Sequence, residues 1–315
     1  MVDMEMKNQT EIEEFILLGF EDLQNLQIPI FLIFLLIYIL TMAGNLLVVV
    51  LIVTDQHLHS PMYFFLGNLS CLEVCYSSTI LPRMLASFLS SDKVVFKSIC
   101  LLQSFFFGGL AGTECYLLSI MSYDRFLAIC KPLHYVIHMN GKLCRHLAYV
   151  SWLNGFIASS MLVLLMSQLI FCGPNVINHF FCDIVQILRL SCSDIQLVSM
   201  LLLLFSAAFT LPPFVLTVTS YFCIISKILR ISSATGRQKT FSTCSSHLIV
   251  VTIFYGSLMT VYMLPETSEL IELNKSFSVS YTILTPLVNP LIYSLRNQEV
   301  KEALRRVICK YFTRH

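Results

Sequence analysis

"IPIFLIFLLIYILTMAGNLLVVVLIV", Ile28 to Val53, runs for 26 residues without one charged side chain. Wound as a helix at about 1.5 Å per residue, the stretch exceeds the roughly 30 Å hydrocarbon core of a bilayer. A helix that is apolar all round leaves no face for water, so this one reads as a membrane span. Six windows of the same kind follow: Met62 to Phe88, Cys100 to Ile129, Leu147 to Ile170, Leu197 to Ile228, Leu248 to Leu264 and Ser278 to Leu295. Composition points the same way: of 315 residues 56% are hydrophobic and 12% charged, far from the balance of a soluble domain. The expected fold is an all-α integral membrane protein, a seven-transmembrane helix bundle over residues 28–295. A tail (1–27) precedes the bundle, and a short amphipathic eighth helix with a tail (296–315) follows it.

Basic residues set the expected orientation. With the amino terminus outside, four Lys/Arg from Arg125 to Arg145, four from Lys227 to Lys239 and six from Arg296 to Arg314 face the cytoplasm, 14 of 20. Carboxylates run the other way, seven before the first span and six in outer loops, so the net charge of +1 hides two opposed fields. The acidic first segment holds no adequate apolar core for a cleavable signal peptide. The first span is therefore expected to act as its own insertion signal.

Polar residues inside such spans are costly and mark function. Asp124 and Arg125 sit at the cytoplasmic mouth of the third span, in "MSYDRFLAICKPLHY" (Met121 to Tyr135). Neighbours on a helix do not face each other, so they make an imperfect ion pair. Five further stretches stand in order along the chain: Gly44-Asn45, "LHSPMYFFLGNLSCLE" (Leu58 to Glu73), Ser220-Tyr221, "KTFSTCSSH" (Lys239 to His247) and "PLVNPLIYSLRN" (Pro286 to Asn297).

Taken together these stretches resemble the odorant receptors, a branch of the rhodopsin-like G-protein-coupled receptors. The short, Cys-rich second outer loop resembles the terrestrial, volatile-sensing branch. Departures are few: Ser122, Phe126 and Leu127 replace the commoner Ala, Tyr and Val, Glu73 stands where Asp is usual, and Thr240 replaces Ala. The resemblance implies a plasma-membrane receptor for small volatile odorants, coupled to the stimulatory olfactory G protein and raising cyclic AMP. It implies that Arg125, beside Asp124, is released when the sixth span swings outward. Tyr221, His247, Asn289, Pro290 and Tyr293 are expected to belong to that switch.

Depth along the helices locates two more sites. At about 1.5 Å per residue Glu114 lies roughly 16 Å above Arg125, and Glu73 lies at a similar level. Two carboxylates near the midplane must share a proton, bind a cation or bond to neighbours such as Asn45 and Asn289. In the wider receptor class a sodium ion binds here, which makes Glu73 and Glu114 its candidate ligands by similarity.

Phe107, Gly108, Ala111 and Gly112 lie about 20 to 27 Å above Arg125, in the outer half of the bilayer. Phe205, Ser206 and Phe209 on the fifth span, with Tyr255, Leu258, Met259 and Tyr262 on the sixth and Thr282 on the seventh, reach comparable heights. Such aromatic spacing more often serves helix packing, but the resemblance makes the set an expected ligand pocket. Phe107 stands where amine receptors of this class carry an Asp, and the seventh span has no Lys for a retinal Schiff base. The ligand is expected to be small, neutral and mostly hydrophobic.

Of twelve cysteines, Cys100, Cys172, Cys182 and Cys192 fall outside, where disulfides persist, and four thiols allow three pairings. Similarity selects Cys100 with Cys182 and Cys172 with Cys192. "HFFCD" also places His179, Cys182 and Asp183 at ligand-like spacing for a metal. Asn8 opens an N-glycosylation acceptor, with Asn274 a weaker one. In "QEVKEALRRVICKYF" Val300, Leu304, Val307 and Ile308 share one face, so the segment reads as a helix lying on the inner leaflet with Cys309 a palmitoylation candidate. Nothing supports an enzyme or a nucleic-acid binder: "GRQKT" (Gly236 to Thr240) lacks the second glycine of a phosphate loop. A transporter is the nearest competitor, but repeated halves are not detected.

Overall fold

The computed structural model describes residues 12–20, 26–90, 93–172, 174–230, 233–264, 268–296 and 298–312. Five of its helices are long and apolar enough to cross a membrane: α1 (Gln27–Thr54), α2 (Pro61–Leu89), α3 (Lys97–Cys130), α5 (Gly141–Ser167) and α7 (Gln196–Ile228). The short α4 (Pro132–His138) links α3 to α5, and α6 (Ile184–Leu188) lies in the loop before α7. The sixth span is α8 (Ala234–Met263), which begins fourteen residues before the apolar window at Leu248. Its first turns are polar in sequence, so an apolar window does not include them.

The seventh span comes in three pieces: α9 (Ser268–Val279), a π-helical turn (Ser280–Leu284) and α10 (Thr285–Arg296). Pro286 and Pro290 have no N–H to donate, and the chain widens where the first of them would break the ladder. There the Thr285 hydroxyl donates to the Ser280 carbonyl, five residues back, at 3.2 Å. α11 (Gln298–Phe312) follows α10 and buries Val300 and Ala303.

Local chemistry fixes several boundaries. Pro61 and Pro132 occupy first-turn positions, where a missing N–H costs nothing. Asn140 caps α5, its side chain accepting from the Leu143 N–H at 2.9 Å, and Asp183 caps α6 from the Val185 N–H at 2.8 Å.

The core lies between α2, α3 and α8, where Leu69, Leu72, Tyr76, Leu117, Leu118 and Phe254 are fully or almost fully buried. Leu32, Leu36 and Ile39 of α1 and Leu203 and Leu204 of α7 are exposed, an apolar belt that only lipid can cover. α3 packs most closely on α5. A Cβ on Gly155 would lie 2.4 Å from the Gly109 carbonyl oxygen, and one on Gly112 would lie 3.1 Å from the Gly155 Cα. Without a hydrophobic drive between helices in lipid, such close backbone approach holds spans together.

Hydropathy did not foretell the outer sheet. β1 (Glu14–Leu17) runs antiparallel to β2 (Val94–Phe96), pairing Phe15 with Val95, and parallel to β3 (Val176–Ile177), pairing Ile16 with Val176. Phe15 and Leu17 point into a second core with Met166, Phe171 and Ile187. At the end of the strand Phe20 stacks on Phe34 and Phe180, with ring centroids 5.5 Å apart in each pair.

Candidate functional site

A cavity of about 100 Å³ lies among α3, α5 and α7. Phe107, Gly108, Ala111 and Gly112 of α3 stand on its wall with Phe205, Ser206 and Phe209 of α7 and Leu258 and Tyr262 of α8. Ile184 of α6 also stands on the wall. The fourth span supplies a wall that depth arguments missed: Gly155, Ala158, Ser159 and Leu162. Its signal was in the sequence, since small residues at spacings of three and four carve one face of a helix. Cys115, Leu202 and Thr210 also line the space.

Three expected wall residues stand elsewhere. Tyr255 is fully buried, its hydroxyl donating to the Cys115 carbonyl at 2.6 Å and its ring against Phe214. Met259 packs into the main core, and Thr282 is buried with its hydroxyl turned back to the Ser278 carbonyl at 2.6 Å. Helical spacing places residues on a face but does not say whether that face meets a neighbour or a space.

The structure closes two disulfides, Cys100–Cys182 and Cys172–Cys192. Cys182 is therefore no thiolate donor, and no group of three His, Cys, Asp or Glu suited to a metal occurs among the described residues. Instead Asp183 accepts from the Tyr262 hydroxyl at 2.5 Å, tying the loop to α8, and Tyr262 meets Tyr281 at 3.3 Å. His179 is buried beside Phe180 and Phe181, with its Nε2 3.3 Å from the Ser278 hydroxyl.

Burial, with Lys275 as a second cause, pushes the His179 pKa down from 6.5 to about 3. The folded state thus binds fewer protons than the unfolded chain between those values. The stabilisation is complete above pH 6.5 and is lost as the pH falls towards 3. Purified receptor is expected to melt at a lower temperature at about pH 5 than at about pH 7.5, by at most about 1.4 kcal/mol of stability per pH unit. His179→Gln should flatten that slope, while Asp183, whose carboxyl is raised by burial, titrates in the opposite sense.

Deeper in, the Asn289 amide donates to a Glu73 oxygen, and the Asn45 amide bridges the Thr41 and Pro286 carbonyls at 3.1 Å each. Among the described residues, the second Glu73 oxygen, both Glu114 oxygens and the side-chain oxygens of Asn45 and Asn289 are buried without a hydrogen-bond partner. Pro290 packs against Gly44, where a Cβ would come within 3.1 Å of its ring. A side chain there would require the Pro290 ring to give by a few tenths of an ångström.

At the other end of α3 Asp124 is buried and accepts from the Tyr135 hydroxyl of α4 at 3.0 Å. Arg125 is half-buried, and among the described residues it makes no hydrogen bond or ion pair. α7 and α8 are joined by Tyr221 and His247, hydroxyl to Nδ1 at 2.5 Å with stacked rings. Arg306 of α11 pairs with Asp55 at 2.8 Å. The Asp55 carboxyl is lowered to about 2, chiefly by the His57 backbone N–H, against a burial penalty and with help from the His57 side chain and Arg306. The side chain of Tyr293 and the whole of Asn8 lie outside the described residues, and Asn274 is buried in α9. Cys309 is exposed.

The family model described as olfactory receptor matches residues 34–311. Among curated proteins the chain is 48% identical over 305 residues to human olfactory receptor 11L1, covering 97% of this chain and 95% of that one. Human olfactory receptor 6B1 is 47% identical, covering 96% and 97%, and mouse olfactory receptor 5AP2 is 45% identical, covering 97% and 96%. With a helical bundle of membrane-crossing length and a match across nearly the whole chain, the protein belongs to the olfactory receptor family, as a multi-pass, G-protein-coupled odorant receptor and not an enzyme.

Proposed function

We propose that the cavity among α3, α5, α7 and α8 takes a small, neutral, mostly hydrophobic volatile molecule, and that its occupancy activates a stimulatory olfactory G protein and raises cyclic AMP. The observation that carries the reading is the chemistry of the wall. Apart from hydroxyls committed elsewhere, such as Ser159 to the Phe105 carbonyl and Tyr262 to Asp183, it is apolar. Ser206 is different: among the described residues its hydroxyl has no partner. The ligand that fits is an apolar body with one hydrogen-bonding group set against Ser206. With about ten heavy atoms at a fraction of a kcal/mol each, affinity is expected at micromolar or weaker.

A screen of odorants against a cyclic AMP reporter in transfected cells tests this. For an agonist carrying a hydroxyl or carbonyl, Ser206→Ala should raise the half-maximal concentration by about five- to tenfold, one net hydrogen bond. Equal potency in the variant across every such agonist would remove Ser206 from the site.

The reading places the tail 1–27 with a glycan at Asn8 outside the cell, the bundle 28–295 in the plasma membrane and residues 296–315 in the cytoplasm. The distribution of Lys and Arg supports it. It also makes Glu73 and Glu114 ligands for a sodium ion, since their unpartnered oxygens and those of Asn45 and Asn289 are hard donors suited to such a cation. Sodium should shift agonist affinity in the unaltered receptor and not in Glu114→Gln. A sodium effect of the same size in both would exclude Glu114 as a ligand.

A further inference from the structure

The loop end of the bundle is tied together by many hydrogen bonds, whereas one flank of the cavity is thin. On the outer side the Leu18 N–H donates to the Ile177 carbonyl at 3.0 Å and the Gly19 N–H to the His179 carbonyl at 3.1 Å. Lys275 Nζ then clamps the Gly19 carbonyl at 2.6 Å and the Asn178 amide oxygen at 2.9 Å. Beneath this lid Phe181 and Cys182 are fully buried and Ile184 nearly so.

The flank is different. Leu162 of α5 and Phe205, Ser206 and Phe209 of α7 line the cavity yet keep part of their surface uncovered. Met161 and Leu204 beside them are exposed to the lipid. α5 touches α7 far less than it touches α3. Less than one turn beyond Phe209, Pro212 and Pro213 stand inside α7 and remove two successive backbone donors from its ladder. The outer part of α7 is thus joined to the rest by its weakest segment. The space itself, about 100 Å³, is smaller than the roughly 150 Å³ that holds a benzene ring, so a wall must move to admit a ligand.

We propose that ligands enter and leave through the bilayer, by the seam between α5 and the outer half of α7, with Pro212 and Pro213 as the hinge. This rests on the reading of the cavity as the ligand site. Its occupants are neutral molecules that dissolve in the outer leaflet first, and a permanently charged molecule confined to water has no route in.

Cys115 reports the route, because its free thiol is buried on the cavity wall, while Cys71 and Cys75 of α2 are exposed. Full-length receptor in lipid nanodiscs is treated either with neutral methyl methanethiosulfonate or with its permanently charged ethyltrimethylammonium analogue. Modification at each cysteine is then followed by peptide mass mapping. The neutral reagent should reach Cys115 at least about tenfold faster than the charged one, and loosening the lid with Lys275→Ala should leave both rates within about twofold. Leu162→Phe, which thickens the seam, should slow the neutral reagent at Cys115 about tenfold without changing Cys71.

Equal access of both reagents, faster labelling in Lys275→Ala, or no labelling of Cys115 while Cys71 reacts would each overturn the proposal. Should Leu162→Phe not fold, the comparison of the two reagents on the unaltered chain still decides. Failure of the ligand-site reading shows elsewhere, as an agonist whose potency ignores every cavity substitution.

Discussion

Arg125→Ala will abolish ligand-evoked cyclic AMP while leaving the receptor at the cell surface. The expectation follows from what the guanidinium does not do in the folded chain. Asp124, its neighbour, is occupied by the Tyr135 hydroxyl, and among the described residues Arg125 itself has no hydrogen bond or ion pair. Removing it breaks no hydrogen bond but takes a favourable cation away from the buried Asp124, so the fold should lose about 1 kcal/mol, the usual size of a point substitution. On the proposed reading, this half-buried charge at the end of α3 is held for the G protein that docks there. A response reduced at least about a hundredfold at equal surface staining corresponds to roughly 3 kcal/mol of lost coupling. Full signalling by the variant would end this account of the switch.

Cys100→Ser will lower surface expression by at least about tenfold. The bridge to Cys182 spans 82 residues, and closing a loop of that length removes about 4 to 5 kcal/mol of chain entropy from the unfolded state. That is a large part of the 5–15 kcal/mol by which domains usually hold together. The local consequences add to it. The Cys182 N–H donates to the Gln103 side chain at 2.9 Å, and its carbonyl accepts from the Ser104 hydroxyl at 2.7 Å, so a freed loop abandons α3 at three points. Cys172→Ser breaks a bridge of only 20 residues, worth about 3 kcal/mol by the same reasoning, and should do less harm. Surface staining that ranks the two variants in the reverse order would contradict the entropic argument.

Apolar length made the long spans legible, because the bilayer imposes one requirement on every helix that crosses it. It could not reveal the polar cytoplasmic turns of α8 or the π-helical widening at Ser280–Leu284, which come from geometry outside the hydrocarbon and from Pro286. The outer sheet was illegible for another reason: β1 is four residues long, and its partners lie some 80 and 160 residues away. No local pattern carries such a pairing. At the cavity, depth along a helix placed Phe107, Ser206 and Tyr262 on the wall but could not separate Tyr255, whose hydroxyl is spent on the Cys115 carbonyl. Gly155, Ala158 and Ser159 were readable as a small-residue face. Only the contact with α3 says that part of that face encloses space and part of it excludes it.

The sheet also sets a timetable for biosynthesis. β1 emerges from the ribosome among the first residues, but its parallel neighbour β3 is not made until about 160 residues later. At roughly 5–20 residues per second that delay lasts about 10 to 30 seconds. For about the first half of it β2 is not made either, so both amide edges of the strand are bare, and Phe15 and Leu17 lack the core residues that follow Phe96. Until the third strand arrives, the first one remains an open edge on which any other extended segment can pair.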